Sequence, residues 1–437
     1  MSTADWNRRV WRLAGPIILS NISVPLLGAV DTAVVGHLPD ARYLGAVAVG
    51  AMIFNLLFLA FTFMRMSITG LAAQALGTGD ADEVRACMAR SLILALALGG
   101  GLLLLQRPLG WGALTLVAAS VDVEPLAEAY FAIRIWAAPA ALANFAILGW
   151  FIGIRNTCAA LIHQLAMNGV NIVLDLWFVL GLGLGVEGVA AATLISELGA
   201  AALGLWLVGL NTRRIGGRWR RDLAFDGARF WRLAAINGDI FIRSLCLQAA
   251  FALFTVMGAR MGDTVLAANA VLMTFQSFIS NGLDGFAHAA SALAGAAISA
   301  GSRRQLRGAV LATSLWALAF ALFFTLGFAF FGSSFINLFT DIAEVRATAL
   351  AYLLWIMLSP LISVWSFQLD GIFVGATRTA EMRNAMIASL AVYGAALAIL
   401  VPPFGNHGLW AALMVLMAAR TATLAMYYPG IEVSAGD

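Results

Sequence analysis

Runs of about twenty mostly apolar residues follow one another along nearly all of this 437-residue chain. Each is long enough to cross a hydrocarbon core of about 30 Å. Twelve can be read, at about 13–36, 44–68, 91–106, 127–150, 164–182, 188–210, 233–257, 266–289, 309–331, 348–371, 385–402 and 408–428. In lipid, a backbone N–H or C=O finds no water, so a single spanning segment must satisfy its own polar groups as a helix. A few such runs could be buried helices of a soluble protein; twelve in succession could not. The chain is 62% hydrophobic and 11% charged, against about 25% charged in soluble domains. The fold class expected is an all-α membrane protein with twelve transmembrane helices.

The apolar pattern is also written twice. Ala46, Ala48 and Val49 recur 222 residues later as Ala268, Ala270 and Val271. Ala72, Ala75, Gly79 and Arg85 recur at the same spacing as Ala294, Ala297, Gly301 and Arg307, and Gly149 to Gly153 recurs as Gly371 to Gly375. One residue of slip is needed where Pro139 answers Pro360, and the basic entry Trp11-Arg12-Leu13-Ala14 returns as Trp231-Arg232-Leu233-Ala234. Duplicated membrane halves are a common plan of secondary transporters, with a substrate pathway between the halves. Six spans per half is an even number, so both halves enter from the same side. That predicts a parallel repeat of two six-helix lobes, an N-lobe at 1–215 and a C-lobe at 216–437.

All 26 basic residues are arginine. The absence of lysine excludes a lysine-containing phosphate loop and a Schiff-base lysine, and with them transport driven by ATP hydrolysis in this chain. Cys87, Cys158 and Cys246 have no metal or redox spacing. Counted by loop on alternating sides, 18 arginines fall on one side and Arg42, Arg107, Arg260 and Arg346 on the other. The positive-inside rule then puts both termini and the arginine-rich 211–232 connection in the cytoplasm. Because the arginines follow the loops, no nucleic-acid partner is implied; the lipid bilayer is.

Chemistry must come from polar residues inside the runs, where an ionisable group is costly and faces a cavity or a partner. The first half carries Asp31, Asp175 and Glu197; the second carries Asp239, Asp284 and Asp370. The basic set is Arg65, Arg134, Arg243 and Arg420. At about 1.5 Å rise per residue, Asp31, Asp175 and Thr193 fall in the same outer half of the bilayer. Asn171 is one turn before Asp175 and shares its face. Two carboxylates, an amide and a hydroxyl at one depth suit a shared proton or a small hard cation such as Na+; each could instead be bonded to its own neighbour. Pro16 permits a bend in the first helix, fixed or hinged. Asp239 and Arg243, four apart, read as an ion pair on one helix or as part of a C-lobe cavity with Asp284 and Asp370. Of His37, His163, His288 and His407, only His288 lies clearly inside a run, and a packing role is expected for it. Met52, Phe54, Phe58, Met64, Asn144, Phe145, Met273 and Phe275 are candidates to line a substrate pathway, since methionine and aromatic surfaces adapt to varied ligands; such residues also simply pack.

Three stretches resemble a known family. They are Gly15-Pro16 followed by Asp31-Thr32-Ala33-Val34-Val35-Gly36-His37-Leu38, then Gln74 to Gly79, and Gln368-Leu369-Asp370-Gly371 continuing to Arg378. Their order and spacing are similar to those of multidrug and toxic compound extrusion (MATE) transporters. The segments Asp239 to Arg243 and Asp370-Gly371 resemble its DinF-like branch in particular. The resemblance covers nearly the whole chain. It implies cation-coupled export of amphipathic, often cationic drugs or toxic compounds by alternating access, with H+ or Na+ as coupling ion and no other cofactor. It also implies that Asp31, Asn171, Asp175 and Thr193 form the coupling site, with Pro16 as the bend of the first helix. A multi-pass, monomeric protein of a bacterial inner membrane is expected. One alternative is a lipid-intermediate flippase of the same broad superfamily, which would use Arg65, Arg134 and Arg243 for a pyrophosphate headgroup. An intramembrane enzyme would need a nucleophile–base set or metal ligands at one depth, and none is present.

Overall fold

A computed structural model of the chain describes residues 3–36, 41–59, 61–117 and 122–436, without the side chains at 3–4, 24–26, 28–29, 31–33, 35–36, 41, 44, 59 and 116–117. Every regular element among them is helical. In order these are α1 (Thr3–Gly36), α2 (Ala41–Leu59), α3 (Phe63–Gly77), α4 (Ala81–Leu104), α5 (Gln106–Val117), α6 (Glu124–Arg134), α7 (Ala138–Gly153) and α8 (Thr157–Asp175). There follow α9 (Gly185–Ile215), α10 (Arg221–Ala224), α11 (Gly227–Ala259), α12 (Asp263–Ser299), α13 (Arg303–Phe339), α14 (Ala343–Gly375) and α15 (Thr379–Ser434). A 3-10 turn at Ile135–Ala137 joins α6 to α7, and a π turn at Leu176–Gly181 extends α8.

Among the described residues, nine stretches are long and apolar enough to cross a membrane. The apolar run at 44–68 is interrupted, since α2 ends at Leu59 and α3 starts at Phe63. The runs at 385–402 and 408–428 lie in one 56-residue stretch, α15, which is broken by non-helical backbone at Gly405 (φ 53°, ψ −128°). α1 continues through Pro16, which has no N–H to give the carbonyl of Arg12.

The contacts divide the chain into two compact units, Leu19–Leu233 (the N-terminal unit) and Met1–Ile18 with Ala234–Asp437 (the C-terminal unit). The cuts fall inside α1 and inside α11. Accordingly Trp11 packs edge-on against Phe286 and Trp316, at 5.7 and 5.0 Å between ring centroids, within the C-terminal unit.

In lipid, apolar burial gives helices little reason to associate, and close approach through small residues matters more. In the N-terminal unit α7 is buried from Ala140 to Gly153 except for Phe145. A Cβ at Gly149 would stand 2.3 Å from the carbonyl oxygen of Arg65 on α3. In the C-terminal unit, α14 meets α12 in the same way: a Cβ at Gly371 would lie 2.1 Å from the carbonyl oxygen of Ala287. Positive φ recurs at positions 222 residues apart: Gly79 and Gly301, Arg155 and Thr377, Gly183 and Gly405. Asp80 and Ser302, also 222 apart, cap α4 and α13 by accepting from the backbone N–H of Glu83 and Gln305. Arg85 donates to the carbonyls of Gly216 (2.7 Å) and Thr212 (2.5 Å) at the end of α9, whereas Arg307 pairs with Glu432 (2.8 Å) at the end of α15. The repeated arginine thus fastens the C-terminal end of α9 to α4 and that of α15 to α13.

Candidate functional site

α8 carries the densest buried polar face of the N-terminal unit. Gln164, Asn168, Asn171 and Asp175 are all buried and recur at steps of four, three and four, which keeps them on one side of a helix. Asn156 starts the helix by accepting from the N–H of Ala159. Asp175 ends it, fully buried, and the π turn begins at the next residue. Such turns re-aim a helix locally and often occur at functional sites. Gln164 donates to Asn168 Oδ1 (3.0 Å), Asn168 donates to Ser23 Oγ of α1 (2.8 Å), and Ser23 donates to the Ser20 carbonyl (2.7 Å). This chain of bonds ties α8 to α1 between Pro16 and Asp31. The Nδ2 of Asn171, 2% exposed, has no hydrogen-bond partner among the described residues.

Of the four residues expected to act together, Asn171 and Asp175 share that face. Thr193 sits on α9, which packs directly against α8, and its hydroxyl donates to Val189 O of its own helix at 3.0 Å. Asp31 is helical, but its side chain lies outside the described residues, as does His37 altogether.

Sequence reasoning passed over a second cluster beside this face. Asn144 of α7, 2% exposed, donates to Glu197 Oε2 (2.6 Å) and to the Glu197 carbonyl (3.0 Å) on α9. Its Oδ1 is 3.1 Å from Nε2 of His163, which is fully buried on α8. The apolar run starts only at 164, but the helix begins at Thr157 behind the Asn156 cap, so His163 lies inside it. The imidazole lies where α9 offers Gly204, whose Cβ would meet the ring at 2.8 Å.

In the C-terminal unit, the expected pair within α11 does not form. Asp239 accepts from Arg383 Nη1 (2.5 Å) and Thr379 Oγ1 (3.0 Å) of α15. Arg243 reaches Asp370 on α14, where Arg420 of α15 binds the same oxygen at 2.5 Å. Helix spacing allows the i,i+4 contact, but carboxylate and guanidinium partners on other helices outcompete it. All three groups of this triad are at least nine-tenths buried, and two cations face one anion. Asp284 Oδ2 is 3.4 Å from Nε2 of His288 on α12. Arg134 donates to Tyr130 Oη (2.5 Å) and stands over the ring of Phe54 at 4.8 Å.

The aromatic and methionine candidates divide by burial. Phe54, Met64 and Phe275 are packed inside their units, Phe54 against Phe131 (5.2 Å) and Phe275 against Phe328 (5.4 Å). Met52 is half exposed, and Phe58, Phe145 and Met273 are partly exposed. Among the described residues no group of three or more His, Cys, Asp or Glu side chains is arranged to hold a metal ion.

The MatE family model matches residues 16–177 and again 240–400. DNA damage-inducible protein F of Escherichia coli (strain K12) is 43% identical over 426 residues, covering 96% of this chain and 91% of that protein. The probable multidrug resistance protein NorM of Deinococcus radiodurans is 29% identical over 320 residues, 71% of this chain and 68% of its own length. Among solved structures, an outward-facing multidrug resistance MATE family transporter of the MOP superfamily superimposes with a TM-score of 0.88. It is 18% identical and covers 98% of this chain and 96% of its own.

Proposed function

This chain belongs to the MatE family of membrane transporters, and on that footing we propose that it exports amphipathic, often cationic compounds in exchange for H+ or Na+, by alternating access. The observation that carries the reading is the buried polar face of α8, with Asn171 and Asp175 one turn apart at its end. A carboxylate there is costly in lipid unless it takes a proton, a cation or a bonded partner. Loading Asp31 and Asp175 from outside removes like-charge repulsion, with Asn171 and Thr193 completing the site. α1 then rearranges near Pro16, where one helical bond is already missing. Drug affinity falls in that state and drug leaves outward; the cation departs inward and fresh drug binds. The cycle turns only because each ligand binds the two states unequally.

Twelve spans in two six-helix halves are the architecture we assign. Its support is the two family matches and the positive-φ positions, caps and glycine contacts recurring 222 residues apart. The assigned location is a bacterial inner membrane with both termini in the cytoplasm, supported by the arginine distribution. Met52, Phe58, Phe145 and Met273 are the residues we assign to the apolar wall of the substrate path, with Asp284 and the Asp370 triad as polar elements of the C-terminal unit.

The test is efflux of a fluorescent cationic dye from proteoliposomes under separately imposed proton and sodium gradients. Export driven by one gradient and lost in Asp31→Asn is the expected result and identifies the ion. Folded protein that moves no dye under either gradient contradicts the proposal.

A further inference from the structure

The glutamates of this chain are eight, and seven of them lie at helix ends, at positions 83, 124, 128, 187, 344, 381 and 432. Glu197 is the exception. It sits near the middle of the 188–210 apolar run of α9, partly buried, and held by the amide of Asn144. No arginine or histidine stands within ion-pair distance of it among the described residues.

Against α9, α7 supplies Asn144, which is neutral. α8 supplies His163, one amide away, and Asp175 further along. α6 supplies Arg134, engaged with Tyr130 and Phe54, and α2 supplies Tyr43 beside Gly185. On α9 itself, Glu187, Arg213 and Arg214 lie near the two ends. Arg134 favours the Glu197 charge only through space, without an ion pair, so the carboxylate in lipid keeps neutral hydrogen bonds and no directly bonded cation.

We propose that Glu197 is a second proton-binding site of the transport cycle, linked through the Asn144 amide to His163. The inference rests on the cation-coupled reading above. The amide oxygen can only accept, so His163 donates from Nε2, leaving Nδ1, which is buried and has no hydrogen-bond partner among the described residues. A carboxylate and a buried imidazole thus flank one amide. A proton on Glu197 removes its charge while the carboxyl keeps one oxygen to accept from Asn144, so the bonds survive loading. A sodium ion would instead need oxygen ligands where Asn144 presents N–H groups to the carboxylate. Glu197 is one turn beyond Thr193 on α9, so a proton leaving the outer cluster meets it next on the way inward.

The experiment is pH-difference infrared spectroscopy of the full chain in lipid vesicles. A titrating carboxylic-acid carbonyl band is expected in the wild type. It should disappear in Glu197→Gln, return at a changed position in Glu197→Asp, and persist in Asp175→Asn. If Glu197→Gln does not fold, carbon-13 labelling of glutamate decides the question in the wild type and Glu197→Asp together: the wild-type band must shift on labelling and the Glu197→Asp band must not. Superimposable spectra of wild type and Glu197→Gln, or no shift on labelling, overturn the proposal. So does loss of the band when sodium replaces potassium at fixed pH, which would make this a sodium site. The spectrum is read without transport, so the two failures are distinguishable. A glutamate band without gradient-driven efflux sinks the exporter reading alone; proton-driven efflux without the band sinks only the second site.

Discussion

Replacing Asp370 by Asn should damage this protein far more than replacing either arginine that binds it. Arg243 and Arg420 share one oxygen of Asp370, and all three residues are 3–7% exposed. Asp370→Asn leaves two guanidiniums buried without an anion. Breaking a buried ion pair from one side costs about 3–5 kcal/mol, which is about two to three and a half powers of ten in the folded-to-unfolded ratio. Arg420→Met removes a charge-assisted hydrogen bond, worth about 1.5–3 kcal/mol. It also removes the surplus positive charge and leaves the neutral Arg243–Asp370 pair, so the net loss should be no more than about 2 kcal/mol. The assay is thermal unfolding of purified full-length protein in one detergent at one scan rate, because membrane proteins of this size unfold irreversibly and only matched rates compare. Asp370→Asn should unfold well below Arg420→Met. If Arg420→Met is the more damaged of the two, the triad is not governed by its charge imbalance and the reasoning fails.

Other outcomes follow from close contacts and from the α1–α8 bond. Gly371→Ala should lose folded protein, since its Cβ would meet backbone at 2.1 Å, whereas Gly169→Ala, with nothing within 4 Å, should unfold no earlier than wild type. Fluorescence-detected size exclusion separates the two. Asn168→Ala and Ser23→Ala both break the Asn168–Ser23 bond, worth about 0.5–1.5 kcal/mol, and each also breaks one bond of its own, so the double variant should lose less than the sum of the two single losses; strictly additive losses in unfolding midpoints would contradict a shared bond. Pro16→Ala restores the helical bond to the Arg12 carbonyl. It should leave the unfolding midpoint equal or higher and slow gradient-driven efflux; unchanged efflux would remove Pro16 from the hinge role.

Much of the architecture was legible because lipid permits few solutions. Twenty apolar residues must be helical, and glycines repeated 222 apart mark where helices touch, as Gly149 and Gly371 do. The shared face of Asn171 and Asp175 followed from helical spacing alone. What spacing could not supply was the partner. Asp239 and Arg243 satisfy the i,i+4 rule, yet Arg383 and Asp370 capture them from distant segments. Hydropathy also blurs helix starts, because polar residues such as His163 can lie inside a helix when an amide from another helix receives them. Glu197 carried a signal, being the one glutamate away from a helix end, but its link to Asn144 required α7 and α9 to be placed. The break before α3 at 61–62 and the kink at Gly405 were hidden, since apolar sequence runs through or close to both.

The most direct test of cation coupling at the α8 face is gradient-driven dye efflux by Asp175→Asn beside wild type, in the same proteoliposomes and under the gradient that drives the wild type. Asn keeps the size of the side chain and removes the charge that binds the cation. The expected result is loss of uphill export with dye binding retained. Uphill export at the wild-type rate would show that Asp175 does not carry the coupling ion.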